Sequence, residues 1–294
     1  MTDFIDDFFP EIDFSAPIII IYGPTASGKS ELAVKIAQKS KAVIINADSC
    51  QIYHDARILT ARPSQMEMSQ VPHLLYGFLP LSSEYSTYDW CQDVIAEIQD
   101  AHAKNLSAVI VGGTGLYIHT LINGIAEIPA IDPDIRNQIR SMPTSEIYSH
   151  LQQEDPVSAQ KFHPNDTQRL ARALEVIRST GHPLTYWHEN NRKFLPDHIS
   201  PKLYAIMPER DLLYKRINER FDNMIKKGAI DEAKNIIQSG AGTIKHAKKI
   251  VGLSELIDFH FGKLSLEDAI SEGKKASRRY AKRQLTWMRS KFNF

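Results

Sequence analysis

The rhythm of apolar positions changes along this chain. Early on they come as short unbroken runs: "IIIIY" (Ile18–Tyr22), "KAVIINADS" and "LSAVIVGGTG". Such β-branched runs, bounded by turn residues, predict buried strands. Between the first two, "SELAVKIAQKS" sets Leu32, Ala33, Ile36 and Ala37 at helical spacing. Buried strands alternating with helices predict a parallel α/β sheet. "HISPKLYAIMPER" adds a later strand around Leu203–Met207.

From Ile131 to roughly Asn191 the period is helical throughout, with no strand candidate. "IDPDIRNQIR", "TSEIYSHLQQ" and "DTQRLARALEVIRSTG" carry apolar residues three and four apart. Asp166 or Asn165 is placed to cap the last of these, and Gly181 to end it. Polar stretches flank the region, "INGIAEIPAIDPD" before it and "HENNRKFLPDHISPK" after it. The expectation is a helical insertion domain, residues 131–199, set into an α/β core formed by residues 1–130 and 200–294. From Asp211 onward the core also reads as helices.

Composition narrows this little. A chain of 294 residues, 43% hydrophobic and 24% charged, suits a soluble globular protein. No apolar run approaches the ~18 residues of a membrane helix, so no membrane partner is expected. "MTDFIDDFFPEID" carries five acids and no Lys or Arg, the wrong charge for a targeting peptide. The expected location is the cytoplasm. Cys50 and Cys91 show neither zinc-ligand spacing nor a disulfide framework. Net charge is zero, yet Ser271–Phe294 holds eight Lys/Arg against Glu272 alone. That run is either a solvated helix face or a face for nucleic acid.

The sharpest chemistry lies in "GPTASGKS". Gly23, Gly28, Lys29 and Ser30 fit G-x-x-x-x-G-K-[ST], with a strand before and a helix after. Backbone N–H groups and the positive end of the helix face an anion there. Lys29 adds a full charge, and the Ser30 hydroxyl suits Mg²⁺. The motif specifies phosphate, not a particular nucleotide. Asp48, in "ADSCQIY", follows a parallel strand at the edge where ligands of such sheets bind. It is a candidate general base, or alternatively a support for Mg²⁺ or a helix cap.

These segments, with "VGGTGLY", "HPNDTQRLARALEV", "TGHPLT" and "AKRQLTWMR", occur in the order and at the intervals found in bacterial tRNA isopentenyltransferases. The chain resembles that family from about Pro17 to Lys291. The resemblance implies a P-loop NTPase-like α/β core, with a parallel sheet flanked by helices. It implies transfer of a dimethylallyl group from dimethylallyl diphosphate to N6 of adenosine 37, in tRNAs reading codons that begin with U. Gly23, Pro24, Thr25, Ala26, Ser27, Gly28, Lys29 and Ser30 would then hold diphosphate rather than ATP, with Mg²⁺ on Ser30. Asp48, Thr25 and Arg220 would be the catalytic set. Asp48, Ser49, Cys50 and Gln51 would lie against the target base. Thr114, Arg136 and the run Gln168, Arg169, Leu170, Ala171, Arg172 would lie near the anticodon stem-loop. From spacing alone, Arg169 and Arg172 share one helix face suited to phosphates. The family favours a monomer. In the basic C-terminal helix, Ile270, Ala276, Tyr280, Leu285 and Met288 form a candidate docking stripe. Lys274, Lys275, Arg278, Lys282 and Arg289 are left for solvent or RNA, and Trp287 reads as a packing anchor.

The chain departs from the family pattern in places. Cys50 stands where Arg or Met is common, adding an oxidisable thiol beside the site. Gly115 replaces a Met. "ARILTARP" keeps Thr60, Ala61 and Pro63 but not the usual Asp-Ile-Gly before them, and "GLSE" (Gly252–Glu255) lacks an aromatic and a cation. Three other readings compete: a small-metabolite kinase using the loop for ATP, an isopentenyltransferase acting on free AMP, and an RNA-binding module with a degenerate nucleotide fold. The intact Gly28-Lys29-Ser30 and Asp48 speak against the last.

Overall fold

The computed structural model describes residues 12–292 apart from 190, 197, 198, 244 and 245. Most of the acidic N-terminal stretch lies outside the described residues. The chain divides into two compact units, residues 1–122 with 195–294, and residues 123–194.

The first unit is built on a parallel sheet. Its strands are β1 (Ile18–Tyr22), β2 (Ala42–Asn46), β3 (His73–Leu74), β4 (Ser107–Gly112) and β7 (Lys202–Ala205), in the order β3-β2-β4-β1-β7. β1 and β2 are buried at every residue, as their unbroken apolar runs demand. β1 pairs with β4 from Ile18↔Ala108 to Tyr22↔Gly112, and β2 pairs with β4 from Ala42↔Ser107 to Asn46↔Val111. These registers bring the carboxyl ends of β1, β4 and β2 into line, so the turns that follow them emerge side by side.

Helix α1 (Lys29–Ser40) packs Leu32, Ala33, Ile36 and Ala37 against the sheet, the four positions its spacing predicts. Helices α2 (Gln65–Met68), α3 (Thr87–Ala103) and α4 (Gly115–Asn123) follow in the first half of the unit. α3 has no counterpart in the reading of the sequence. It begins with a capping box, Ser86 and Asp89, and buries Trp90, whose indole N–H donates to the Asn46 carbonyl at 2.8 Å.

The second unit is helical: α5 (Pro133–Ser141), α6 (Thr144–Glu154), α7 (Pro156–Lys161), α8 (Thr167–Thr180) and α9 (Leu184–His188). Strands β5 (Ile125–Ala126) and β6 (Asn191–Arg192) pair antiparallel where the chain enters and leaves it. Asp166 caps α8 through the Arg169 N–H, and Gly181 ends it with φ 74°. Ile139, Ile147, Leu151, Leu170 and Leu174 form its core.

The chain then returns to the first unit, where α10 (Arg210–Lys226), α11 (Ala229–Gln238), α12 (Leu253–His260) and α13 (Leu266–Lys291) follow β7. α13 docks on a stripe that shares Met288 with the predicted one but otherwise lies beside it. Ala269, Gly273, Ala281, Gln284 and Met288 are buried, while Ile270, Ala276, Tyr280 and Leu285 are half-buried. Small residues mark the face because the helix comes close to its neighbours there, which hydrophobicity alone does not reveal. Among the described residues, no helix is long and apolar enough to cross a membrane.

Candidate active site

The turn after β1 is the phosphate-loop motif. Gly28 has φ 96°, a left-handed geometry that carries the chain into α1 at little cost for a glycine. The Ser27 hydroxyl is fully buried and takes no protein partner among the described residues. Ser30 is exposed in the first turn of α1. Lys29 folds back so that its Nζ donates to the Pro24 carbonyl at 3.1 Å. Burial pulls its ammonium down to about 8, the Asp48 charge opposes this, and Arg220 adds to it.

The turn after β2 is fixed by the side chains of Asn46 and Asp48. The Asp48 N–H donates to Asn46 Oδ1 at 2.8 Å, and Asn46 Nδ2 donates to the Asp48 and Leu75 carbonyls, each at 3.0 Å. Asp48 Oδ1 accepts the Cys50 N–H at 2.9 Å. The Ser49 N–H donates to Thr114 Oγ1 at 2.9 Å, which ties this turn to the one after β4. Gln51 donates to the Thr60 and Ala61 carbonyls and so holds the segment that forms the next wall.

The turn after β4 is tied in turn to the phosphate loop by Gln284 of α13. Its Nε2 donates to the Gly113 carbonyl at 2.8 Å, and its Oε1 accepts the Thr25 N–H at 2.9 Å. A Cβ on Gly113 would stand 2.2 Å from that Nε2. Gly115 is accounted for by Trp287, whose ring would meet a Cβ there at 2.2 Å. Trp287 packs edge-on to Tyr22, His119 and Phe292 as an anchor of α13.

Thr25, Asp48 and Arg220 line one pocket of about 590 Å³, part of it open to solvent. Cys50, Thr60, Lys249, Ser277 and Tyr280 add polar groups. Leu59, Ile217, Phe221, Met224, Ile250 and Val251 make an apolar wall. Burial lowers Arg220 against the pull of Asp48, so this cation sits in a partly desolvated site. Burial, with Asp48 next in weight, pushes the Cys50 thiol up to about 12. Cys50 therefore stays neutral. Tyr280 is raised well above its usual range by the same causes and keeps its proton.

A second groove of about 980 Å³ adjoins the first at Cys50, Lys249 and Tyr280. Lys248, Arg279 and Arg283 line it as well. The reading of α13 missed Arg279 and Arg283. Of the cations it chose instead, Lys274 pairs with Asp222, Lys275 with Glu272, and Arg278 donates to Asn218. Gln284 was missed too. Its signal was a polar residue at an inward helical position, three after Ala281 and four before Met288.

In the helical unit, Arg136, Arg140 and Arg172 converge on Glu175, which is 1% exposed, at 4.0, 2.8 and 3.8 Å. Arg169 pairs with Asp166 at 3.5 Å, and Gln168 is exposed. Leu170 and Ala171 are buried in this unit's core, so they pack rather than offer side chains to RNA.

Residues 51–291 match the family described as IPP transferase. The chain belongs to the IPP transferase family. It is 42% identical over 273 residues to the tRNA dimethylallyltransferase of Zymomonas mobilis, covering 93% of this chain and 88% of that protein. The tRNA dimethylallyltransferase of Agrobacterium fabrum is 38% identical over 283 residues, covering 95% of each. Among solved structures, the tRNA isopentenylpyrophosphate transferase of Bacillus halodurans aligns with TM-score 0.66 at 35% identity, over 94% of this chain and 88% of that one. A eukaryotic dimethylallyltransferase acting on tRNA aligns with TM-score 0.81 at 28% identity, over 92% of this chain and 69% of that one. The family match begins after the phosphate loop and Asp48, whereas the two bacterial relatives cover nearly the whole chain.

Proposed function

We propose that this family member transfers a dimethylallyl group from dimethylallyl diphosphate to N6 of adenosine 37 in the anticodon stem-loop of tRNAs reading codons that begin with U. The observation that carries the reading is the pocket itself. Thr25, Asp48 and Arg220 share it with an apolar wall, which matches a donor with an anionic head and a hydrocarbon tail.

The phosphate loop, from Gly23 to Ser30, receives the diphosphate. The donor's C1–O bond breaks and the electron pair leaves with the diphosphate. Backbone N–H groups of the loop, Lys29 and Arg220 meet that growing charge, and the Thr25 hydroxyl donates to it. Adenosine N6 forms the new bond to C1, and its proton passes to the Asp48 carboxylate. The target base must leave its stack, at a cost of a few kcal/mol. Ser49, Cys50, Gln51 and Thr114 form the turns that receive it. Cations offset part of the cost: the exposed Lys248, Arg279 and Arg283 around the second groove, and the exposed Arg169 with the half-buried Arg136 and Arg172 in the helical unit.

Among the described residues no three His, Cys, Asp or Glu side chains converge as a metal site. A phosphate-loop serine hydroxyl suits Mg²⁺, which takes most of its ligands from water and phosphate oxygens. The Ser30 hydroxyl is the group that would hold it. Bound there, it would neutralise charge on the diphosphate.

Mass spectrometry of tRNA nucleosides after incubation with dimethylallyl diphosphate tests the reading. One added C5H8 unit on adenosine is expected. Phosphate release from ATP, with adenosine unchanged, would establish the kinase instead. Prenylation of AMP but not tRNA would establish the free-nucleotide enzyme.

A further inference from the structure

The helical unit buries a carboxylate under three cations. Glu175 is 1% exposed, while the side chains of Arg136, Arg140 and Arg172 are 42%, 56% and 41% exposed. Arg136 and Arg140 lie one turn apart on α5, and Arg172 and Glu175 one turn apart on α8. The cluster joins the two helices, yet it is poorly made for stability. One direct hydrogen bond serves the carboxylate, from Arg140 Nε to Oε1 at 2.8 Å. Oε2 stands 4.0 Å from Arg136 Nε and 3.8 Å from Arg172 Nη1, and takes no hydrogen bond among the described residues. Well-packed apolar side chains would join the helices as firmly.

The arrangement governs the outer ends of the guanidiniums instead. Glu175 faces the Nε sides of Arg136 and Arg140. Among the described residues, the Nη groups of these two arginines make no protein hydrogen bond. Paired Nη groups form the fork that meets a phosphate with two parallel bonds. Three guanidiniums against one carboxylate also leave two positive charges in excess. Burial lowers Arg172, Glu175 opposes this, and Arg136 and Arg140 add to it. An anion at the outer face relieves that repulsion.

We infer that Glu175 is a positioning residue for RNA binding: it holds Arg136 and Arg140 by their Nε sides, so that their forks are turned outward to a backbone phosphate. This deepens the tRNA reading above and rests on it. Glu175 itself touches no phosphate. Arg140, which the reading of the sequence passed over, becomes a phosphate contact.

Charge and position predict opposite signs for Glu175→Gln. The variant keeps the shape and removes a negative charge, so a surface acting by charge alone would bind tRNA more tightly. Positioning predicts that the Kd for tRNA rises ~10-fold or more. The slope of log K against log salt should fall by ~0.7–0.9, the share of one phosphate. The KM for tRNA should rise with Kd, and the KM for dimethylallyl diphosphate should not. Arg140→Lys keeps the charge and removes the fork at an exposed position, so it decides the matter even where Glu175→Gln does not fold by circular dichroism. Its Kd for tRNA should rise ~5-fold or more. In the double variant the two losses should be less than additive, because both act on one contact. Equal or tighter tRNA binding by folded Glu175→Gln overturns the inference, as does wild-type affinity in Arg140→Lys. Either result leaves the prenyl-transfer reading standing as long as the wild type adds C5H8 to tRNA. A wild type that binds no tRNA overturns both.

Discussion

Asp48 Oδ1 accepts the Cys50 N–H at 2.9 Å, which fixes one oxygen of the carboxylate, while Oδ2 takes no protein hydrogen bond among the described residues. One oxygen orients the group and the other is left for a substrate proton. Asp48→Asn keeps the shape and removes the base. The kcat should fall by roughly 10²–10⁴, with tRNA affinity retained in a filter-binding assay. Turnover near that of wild type would refute the assignment.

Gln284 supplies both an acceptor for the Thr25 N–H and a donor for the Gly113 carbonyl. Gln284→Ala leaves two backbone groups unpaired where little water reaches. Stability should drop by about 1–3 kcal/mol, read from urea unfolding. The KM for the prenyl donor should also rise, because the loop loses its lateral support. An unchanged donor KM would limit Gln284 to packing.

Lys29 titrates near 8 because burial disfavours its charged form. The folded state holds fewer protons than the unfolded chain between about 8 and the usual lysine value of 10.5. The stability cost of the buried charge is therefore fully present below about 8 and is relieved as pH rises toward 10.5. A diphosphate anion reverses this and draws a proton back. Donor binding at pH 8–9 should take up protons, measurable by calorimetry in buffers of different ionisation enthalpy, and affinity should fall as pH rises through this range. Lys29→Arg should abolish the uptake.

Three arginines share Glu175, so the cluster keeps an excess of positive charge at the surface of the helical unit. Replacing Arg169 and Arg172 with Ala should weaken tRNA binding and flatten the dependence of log K on log salt by ~0.7–0.9 for each phosphate no longer neutralised. Arg140 and Arg136 still face Glu175 in that variant, so the fold should persist by circular dichroism. An unchanged salt slope would remove both residues from the RNA surface.

How much of this was legible beforehand depended on how local the cause was. β1, β2 and β4 could be read because strands buried on both faces must be apolar throughout. Asp48 could be placed because strand ends in a parallel sheet point toward ligand sites. β3, only His73 and Leu74, is an edge strand that exists by pairing with Ile44 and Ile45 and carries no pattern of its own. The docking face of α13 is chosen by what packs on it, such as the Phe221 ring against Gly273, a tertiary matter. The clustering of Arg136 and Arg172 on Glu175 likewise joins α5 to α8, and spacing within one helix cannot disclose it.

Thr25 and the side chain that holds its amide are separated by 259 positions. During synthesis the anion-binding turn emerges early, and the residue that braces it comes only near the finish. A nascent chain thus possesses the loop sequence well before it possesses a competent phosphate grip. A truncation that falls after β7 but short of Gln284 should leave every strand of the sheet in place and the donor unheld.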